Sequence, residues 1–347
     1  MTTREPGCAG RPGALDDPYD VMFVGWSFVR SGLLSAALEL GVFTALAERP
    51  LVGAELSARL GLHPRAARDF LDALSAIGLL CRADGRYGNS PAAARHLLPD
   101  RDGFLGGFLR MTGDLMGGGP QALTGLLRTG DARGQNAAGE VPFTRIFHDP
   151  ERLRLFLSAM DAFSSAVAEG LCASLDWSAH RTFSDIGGAR GNLAARLAAA
   201  HPWLTGTVLD RPAMRAPFED LVAERGVGDR LAFVGGDFFV DDLPRADVLI
   251  LGGVLHDWPD ERRLELLRRA HAAVADGGCL VVYDTMLDDE RSRPESLLLS
   301  LVMMTQSAQA SGFSAAQCRE WVARAGFTVR RTVSLPALTT ALVAGKD

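Results

Sequence analysis

Residues 181–202 read RTFSDIGGARGNLAARLAAAHP: a short apolar run, a turn on Gly187, Gly188 and Gly191, then an Ala/Leu helix. A strand, a glycine turn and a helix in that order open an α/β domain. In such domains ligands sit beyond the carboxyl ends of the strands. Four more apolar runs follow: TGTVLD ending at Asp210, LAFVGGD ending at Asp237, ADVLILGG before His256, and GGCLVVYD ending at Asp284. Helical stretches separate them, so the connections are crossovers and the sheet is expected to be mostly parallel. Asp185, Asp210, Asp237, His256 and Asp284, far apart in sequence, then share one end of the sheet.

The residue types at that end suit an adenosine-containing ligand. Glycines at 187, 188 and 191 allow the backbone to approach a ligand where a Cβ would clash. Asp210 follows the glycine turn at about the separation of a carboxylate that accepts bonds from a ribose diol. Asp237 could take an adenine amino group, with the Phe238 ring against the base. Any one of these aspartates could instead cap a helix at a strand–helix junction; their common register with the strand ends favours a site. DIGGARG lacks the G-x-G-x-x-G spacing normal for nicotinamide cofactors.

Upstream, residues 1–18 form a Gly/Pro/Asp-rich tail. From Val21 the pattern is helical, and FVRSGLLSAALEL carries Leu33, Leu34, Ala37, Leu38 and Leu40 as an apolar stripe with Gly41 as a stop. A helix over about 54–60, a second over about 64–78 starting at Pro64, and a hairpin around Asp84-Gly85 follow, the order of a winged helix over 19–102. Arg65 and Arg68 on the second helix are balanced by Asp69 and Asp72, which weakens a DNA-reading role. Residues 103–176 make a helical connector ending in a long helix over about 151–175. The cofactor-binding domain takes 177–347.

Bulk properties narrow the function. The formal charge is −6, from 36 Lys and Arg against 42 Asp and Glu, and no long basic run is present, which argues against nucleic acid. Five scattered cysteines without metal-ligand spacing fit a reducing compartment and no metal site. No signal peptide is legible and no apolar run reaches membrane-spanning length, so a cytoplasmic protein is expected, with no membrane partner.

The motifs DIGGARG (185–191), LDRP (209–212), GDFF (236–239), LHDW (255–258) and AGF (325–327) carry a resemblance. The chain resembles class I S-adenosylmethionine-dependent O-methyltransferases of the plant caffeate and bacterial antibiotic-tailoring type, from about residue 20 to the end. The resemblance implies a Rossmann-like methyltransferase domain behind a winged-helix dimerisation domain, and a homodimer with interleaved N-terminal helices. It implies S-adenosylmethionine as cofactor, S-adenosylhomocysteine as product, and a small aromatic or polyketide acceptor. Asp185, Gly187, Gly188, Asp210, Arg211, Asp237, Phe238, Phe239 and Gly252 fall at cofactor-binding positions. His256 matches the general base, and Asp284 a Glu that orients it; being shorter, Asp284 is expected to reach His256 only through water. Met160, Phe163, Trp258, Met303 and Met304 fall at the acceptor pocket.

The chain departs from the pattern at Ala189, where many relatives have a third glycine, and at Gly252 and Gly253, where plant enzymes carry Lys and another residue. Loss of that lysine is expected to open the pocket beside the adenine. The second glutamate of plant enzymes has no counterpart, since no acid occurs between Glu295 and Glu320. N-methylation, or cofactor-assisted hydroxylation or decarboxylation, therefore stand as alternatives to O-methylation. A DNA-binding regulator is the more remote one.

Overall fold

A computed structural model describes residues 17–101, 103–115, 119–132 and 148–347, and the chain divides into two compact units, Met1–Arg101 and Asp102–Asp347. Most of the tail and residues 133–147 of the connector lie outside the described residues.

In the first unit the helical region begins earlier than Val21. Helix α1 spans Pro18–Gly25. Asp17 is its N-cap: the side chain accepts from the Tyr19 N–H at 2.8 Å, and Pro18 occupies the first turn, where a missing N–H costs nothing. Helix α2 (Ser27–Glu39) buries only Ala37 and Leu38 of the expected stripe; Leu40 is exposed. After α3 (Val42–Ala45) come β1 (Leu51–Val52), α4 (Gly53–Leu60) and α5 (Pro64–Ala76). The hairpin strands β2 (Leu80–Ala83) and β3 (Arg86–Asn89) are joined by Asp84 and Gly85 at φ +50° and +72°, the paired left-handed turn that matches strand twist. Strand order is β1-β3-β2. Asp72 accepts from Arg82 and from the Tyr87 hydroxyl at 2.8 and 2.6 Å, so this carboxylate ties α5 to the hairpin. Helix α6 (Pro91–His96) closes the unit, capped by Ser90.

The second unit opens with α7 (Gly106–Leu115), α8 (Gly119–Thr129) and the long α9 (Pro150–Ser174). By length and composition α9, and the bent pair α1–α2, are apolar enough to cross a membrane, contrary to the sequence expectation. In α9, however, Leu157, Val167, Ala168 and Leu171 are packed into the core of the second unit. Then alternate β4 (Thr182–Ile186), α10 (Asn192–Ala200), β5 (Thr205–Asp210), α11 (Arg215–Arg225), β6 (Leu231–Gly235), β7 (Ala246–Gly252), α12 (Asp260–Ala273) and β8 (Val274–Asp284). Helices α13 (Pro294–Gln306) and α14 (Ala315–Arg324) precede β9 (Thr328–Leu335) and β10 (Thr339–Gly345).

The sheet order is β6-β5-β4-β7-β8-β10-β9. The first five of these strands are parallel, while β10 runs antiparallel to both β8 and β9. The inner strands are apolar on both sides because both faces are covered. Val248 and Ile250 of β7 meet the layer holding α9 and α10, and Leu249 and Leu251 meet the layer holding α12 and α14. The chain leaves β4 toward β5 and returns on its other side at β7. This reversal opens a crevice at the carboxyl ends of β4 and β7.

Candidate active site

The glycine turn after β4 is shaped first by the protein itself. A Cβ on Gly187, which sits at φ +73°, would lie 2.6 Å from Val254; one on Gly188 would lie 2.5 Å from Asp185 Oδ2; one on Gly191 would lie 2.9 Å from the Phe218 ring. The turn needs these glycines for its own packing, before any ligand approaches. Ala189 stands where a glycine was expected, and it has φ +50°. That conformation costs an L-residue roughly 1–2 kcal/mol, and the bond from its N–H to Asp210 Oδ2 at 2.7 Å helps hold it.

Three carboxylates stand around this turn. Asp185 is buried and its Oδ2 has no partner. Burial, with a further push from Asp210, raises it to about 7. Asp210 accepts from the N–H groups of Ala189 and Arg211, at 2.7 and 2.6 Å, yet burial still raises its pKa. Each oxygen has a further lone pair with which to accept. Asp237 lies two residues beyond β6, which ends at Gly235 rather than at the aspartate. It is paired with Arg211 at 3.3 Å and accepts from the Phe239 N–H at 2.9 Å. An unsatisfied buried carboxylate, a second with spare lone pairs and a glycine-lined turn suit a ligand with a cationic amine and a ribose.

Beyond β6, Phe238 is half-buried and Phe239 buried. Trp258 packs edge-on to both, at 6.0 and 4.7 Å between ring centroids, and the Arg262 guanidinium lies 3.5 Å from the Phe239 ring centroid. The structure thus groups Trp258 with the aromatic residues after β6. Met160 and Phe163 are half-buried on α9, and Met303 and Met304 half-buried on α13. Gly252 does not open a pocket. A Cβ there would fall 2.0 Å from the Tyr283 ring, so the tyrosine occupies the space expected to be vacant.

His256 is carried on a single helical turn, Leu255–Asp257, just after β7. Its Nδ1 is 3.0 Å from both oxygens of Asp284 at the end of β8, so no bridging water is required. Asp257 Oδ1 is 3.5 Å from Nε2. A second acid therefore stands beside the imidazole after all, supplied by the next residue in the chain. Burial pulls the His256 pKa down, but Asp284 and Asp257 together outweigh it and hold it at about 9. Burial raises Asp257 to about 6 against the pull of His256. In the neutral ring, a proton on Nδ1 bonded to Asp284 leaves Nε2 as the basic nitrogen.

Arg263 escaped the sequence reading. It lies on α12 and is 1% exposed. Its guanidinium donates to the Leu255 carbonyl at 2.8 Å, to the Ser311 carbonyl and Oγ at 2.7 and 2.8 Å, and to Asp260 at 3.1 Å. It also lies 5.0 Å from the ring centroids of Phe313 and Trp321. The Ser311 N–H donates to the His256 carbonyl at 2.8 Å. One buried cation therefore fixes the His256 turn against residues 311–313. The sequence hint was an arginine three and four residues before Leu266 and Leu267 on α12, hidden among Arg262, Arg268 and Arg269.

Comparison with known proteins agrees with this geometry. The O-methyltransferase domain family matches residues 122–328, and the O-methyltransferase dimerisation domain family matches residues 25–99. The tetracenomycin polyketide synthesis 8-O-methyl transferase TcmO of Streptomyces glaucescens is 43% identical over 95% of this chain and 97% of its own. The N,N-dimethyltransferase OxyT of Streptomyces rimosus is 42% identical over 86% and 87%. Human N-acetylserotonin methyltransferase, solved in complex with S-adenosylmethionine, superposes with a TM-score of 0.85 at 26% identity, covering 97% of this chain and 99% of that one. The chain belongs to the class I S-adenosylmethionine-dependent O-methyltransferases, with an O-methyltransferase catalytic domain behind a dimerisation domain.

Proposed function

We propose that the enzyme methylates a phenolic hydroxyl of an aromatic polyketide-type natural product, with His256 as general base. The His256–Asp284 pair at the crevice carries this reading, and the names of relatives such as TcmO support the acceptor class. When bound, the cofactor supplies a methyl carbon activated by its sulfonium. Asp210 takes the ribose hydroxyls, Asp237 and Phe238 the adenine, and the unpartnered Asp185 oxygen faces the methionyl ammonium. Arg211 orients Asp237, while Phe239 and Gly252 shape the wall. Met160, Phe163, Met303 and Met304 line the acceptor.

A phenol has a pKa near ~10 and is a weak nucleophile while protonated. As the hydroxyl oxygen takes up the methyl group that the bound cofactor would supply, the phenolic proton would pass to His256 Nε2. Asp284 stabilises the imidazolium. Asp257, beside Nε2, is the second acid whose absence from the expected stretch had left non-methylating chemistry open. Alignment of hydroxyl and methyl supplies much of the remaining acceleration.

The pKa of about 9 gives the sign of the pH dependence. Below it His256 carries a proton and cannot accept another, so the base form grows as pH rises. With labelled cofactor and a polyphenolic acceptor, kcat/KM is expected to rise about tenfold per pH unit through the neutral range and level off near 9. Asp257→Asn, which removes one of the two carboxylates that raise the imidazole, moves the break to lower pH. A flat profile, or an unmoved break, contradicts the role of His256.

An amine acceptor is the second reading, from the name of OxyT. A neutral amine needs no base to become nucleophilic, so His256→Ala would then leave most of the activity.

The active species is proposed to be a homodimer through α1 and α2. Phe23, Trp26 and Phe28 are 59%, 58% and 74% exposed, more apolar surface than a lone helix pair leaves to water. Phe28→Asp is expected to give a monomer by light scattering; an unchanged dimer contradicts this interface.

A further inference from the structure

We infer that Arg190 and Asp161 form a latch joining the cofactor turn to the acceptor wall, so that filling the cofactor site fixes helix α9. Arg190 lies inside DIGGARG, one residue after Ala189, whose N–H bonds the ribose carboxylate Asp210. Asp161 lies on α9 between Met160 and Phe163. The Arg190 Nε donates to Asp161 Oδ2 at 2.9 Å, and Nη2 donates to the same oxygen. Two residues on, the buried Asn192 donates from Nδ2 to the Asp161 carbonyl at 3.2 Å and to Ser164 and Ser165 Oγ at 2.8 and 3.1 Å. One short segment of the turn thus holds α9 at the stretch that carries the two acceptor-facing side chains.

Two features make this a latch rather than a surface ion pair. The Arg190 and Asp161 side chains are only 29% and 20% exposed, so water screens the pair weakly. Burial raises the Asp161 pKa against the pull of Arg190. Ala189 is held in a left-handed conformation, and Asp185 beneath it has a buried oxygen with no partner. A ligand that satisfies that oxygen stiffens the turn, and Arg190 passes the order to α9. Arg190 and Asp161 are positioning residues; neither touches the reacting atoms.

The latch rests on the cofactor-site assignment, and one experiment separates the two. Hydrogen exchange of the full-length chain is followed with and without saturating S-adenosylhomocysteine, whose binding is measured by calorimetry. In the wild type, amides over 155–168 are expected to exchange about fivefold or more slowly with the ligand bound. Asp161→Asn and Arg190→Gln are expected to bind it and lose that slowing over 155–168, while the glycine turn is still protected. Arg190→Lys is expected to retain part of it. Unaltered slowing of α9 in either variant, or none in the wild type despite binding, overturns the latch. Absence of binding to the wild type overturns the site assignment, and the latch with it.

Discussion

His256→Ala is expected to lower kcat by about 10²–10⁴-fold, the range a positioned proton acceptor contributes. S-adenosylhomocysteine should still bind with affinity changed by less than about threefold, because the cofactor-facing groups are not touched. This split follows from the geometry. Asp185 and Asp210 lie in the last two residues of β4 and β5 and Asp237 two residues beyond β6, whereas His256 follows β7 and Asp284 ends β8. Steady-state rates together with calorimetry check it. Equal loss of binding and turnover would mean that the histidine supports the fold of the crevice rather than the proton transfer.

Arg263→Met is expected to show the second large effect, in stability and activity together. Methionine approximates the volume of the buried stem but leaves the Leu255 carbonyl, the Ser311 carbonyl and Ser311 Oγ without their donor. Unmade bonds at buried acceptors cost about 1–3 kcal/mol apiece, with relaxation recovering part, so a net loss on the order of 3 kcal/mol is expected. The contact with Asp260 adds little, because that carboxylate is 65% exposed and well screened. Since Ser311 also bonds the His256 carbonyl, kcat should fall roughly tenfold at temperatures where the variant remains folded, a rise of about 1.4 kcal/mol in the barrier. Denaturant unfolding and initial rates check both parts. An unchanged unfolding midpoint would show that α12 and residues 311–313 are held by apolar packing alone.

The parallel strands were legible from their apolar residues between turn and helix signals, most clearly the 248–251 run of β7, which is covered on both faces. The last hairpin was not. Strand β9 is an edge strand in which only Leu335 is buried, so no apolar period marks it. Its turn places Ala337 and Leu338 at φ +56° and +57°, positions where glycine or asparagine would normally signal a hairpin. The carboxylates of the site could be read because strand ends are fixed by the strands. Asp257 could not, since a residue next to the histidine reaches Nε2 only through the tight turn that carries both. Arg263 and the Arg190–Asp161 pair are products of tertiary packing, of α12 and of the glycine turn against α9, and sequence neighbours say nothing about which charges that packing will bury. The glycine turn falls after β4 as its sequence implies, but the glycines are needed first to avoid Val254, Asp185 and Phe218 within the protein.

Methyl transfer at a hydroxyl is the central chemistry, and isotope-labelled cofactor tests it most directly. A panel of aromatic polyphenols is incubated with the enzyme and methyl-labelled S-adenosylmethionine, and the products are analysed by mass spectrometry. The expected product carries one labelled methyl on oxygen, with S-adenosylhomocysteine released in equal amount. A product that gains oxygen or loses carbon dioxide, with the cofactor methyl still in place, would contradict the account.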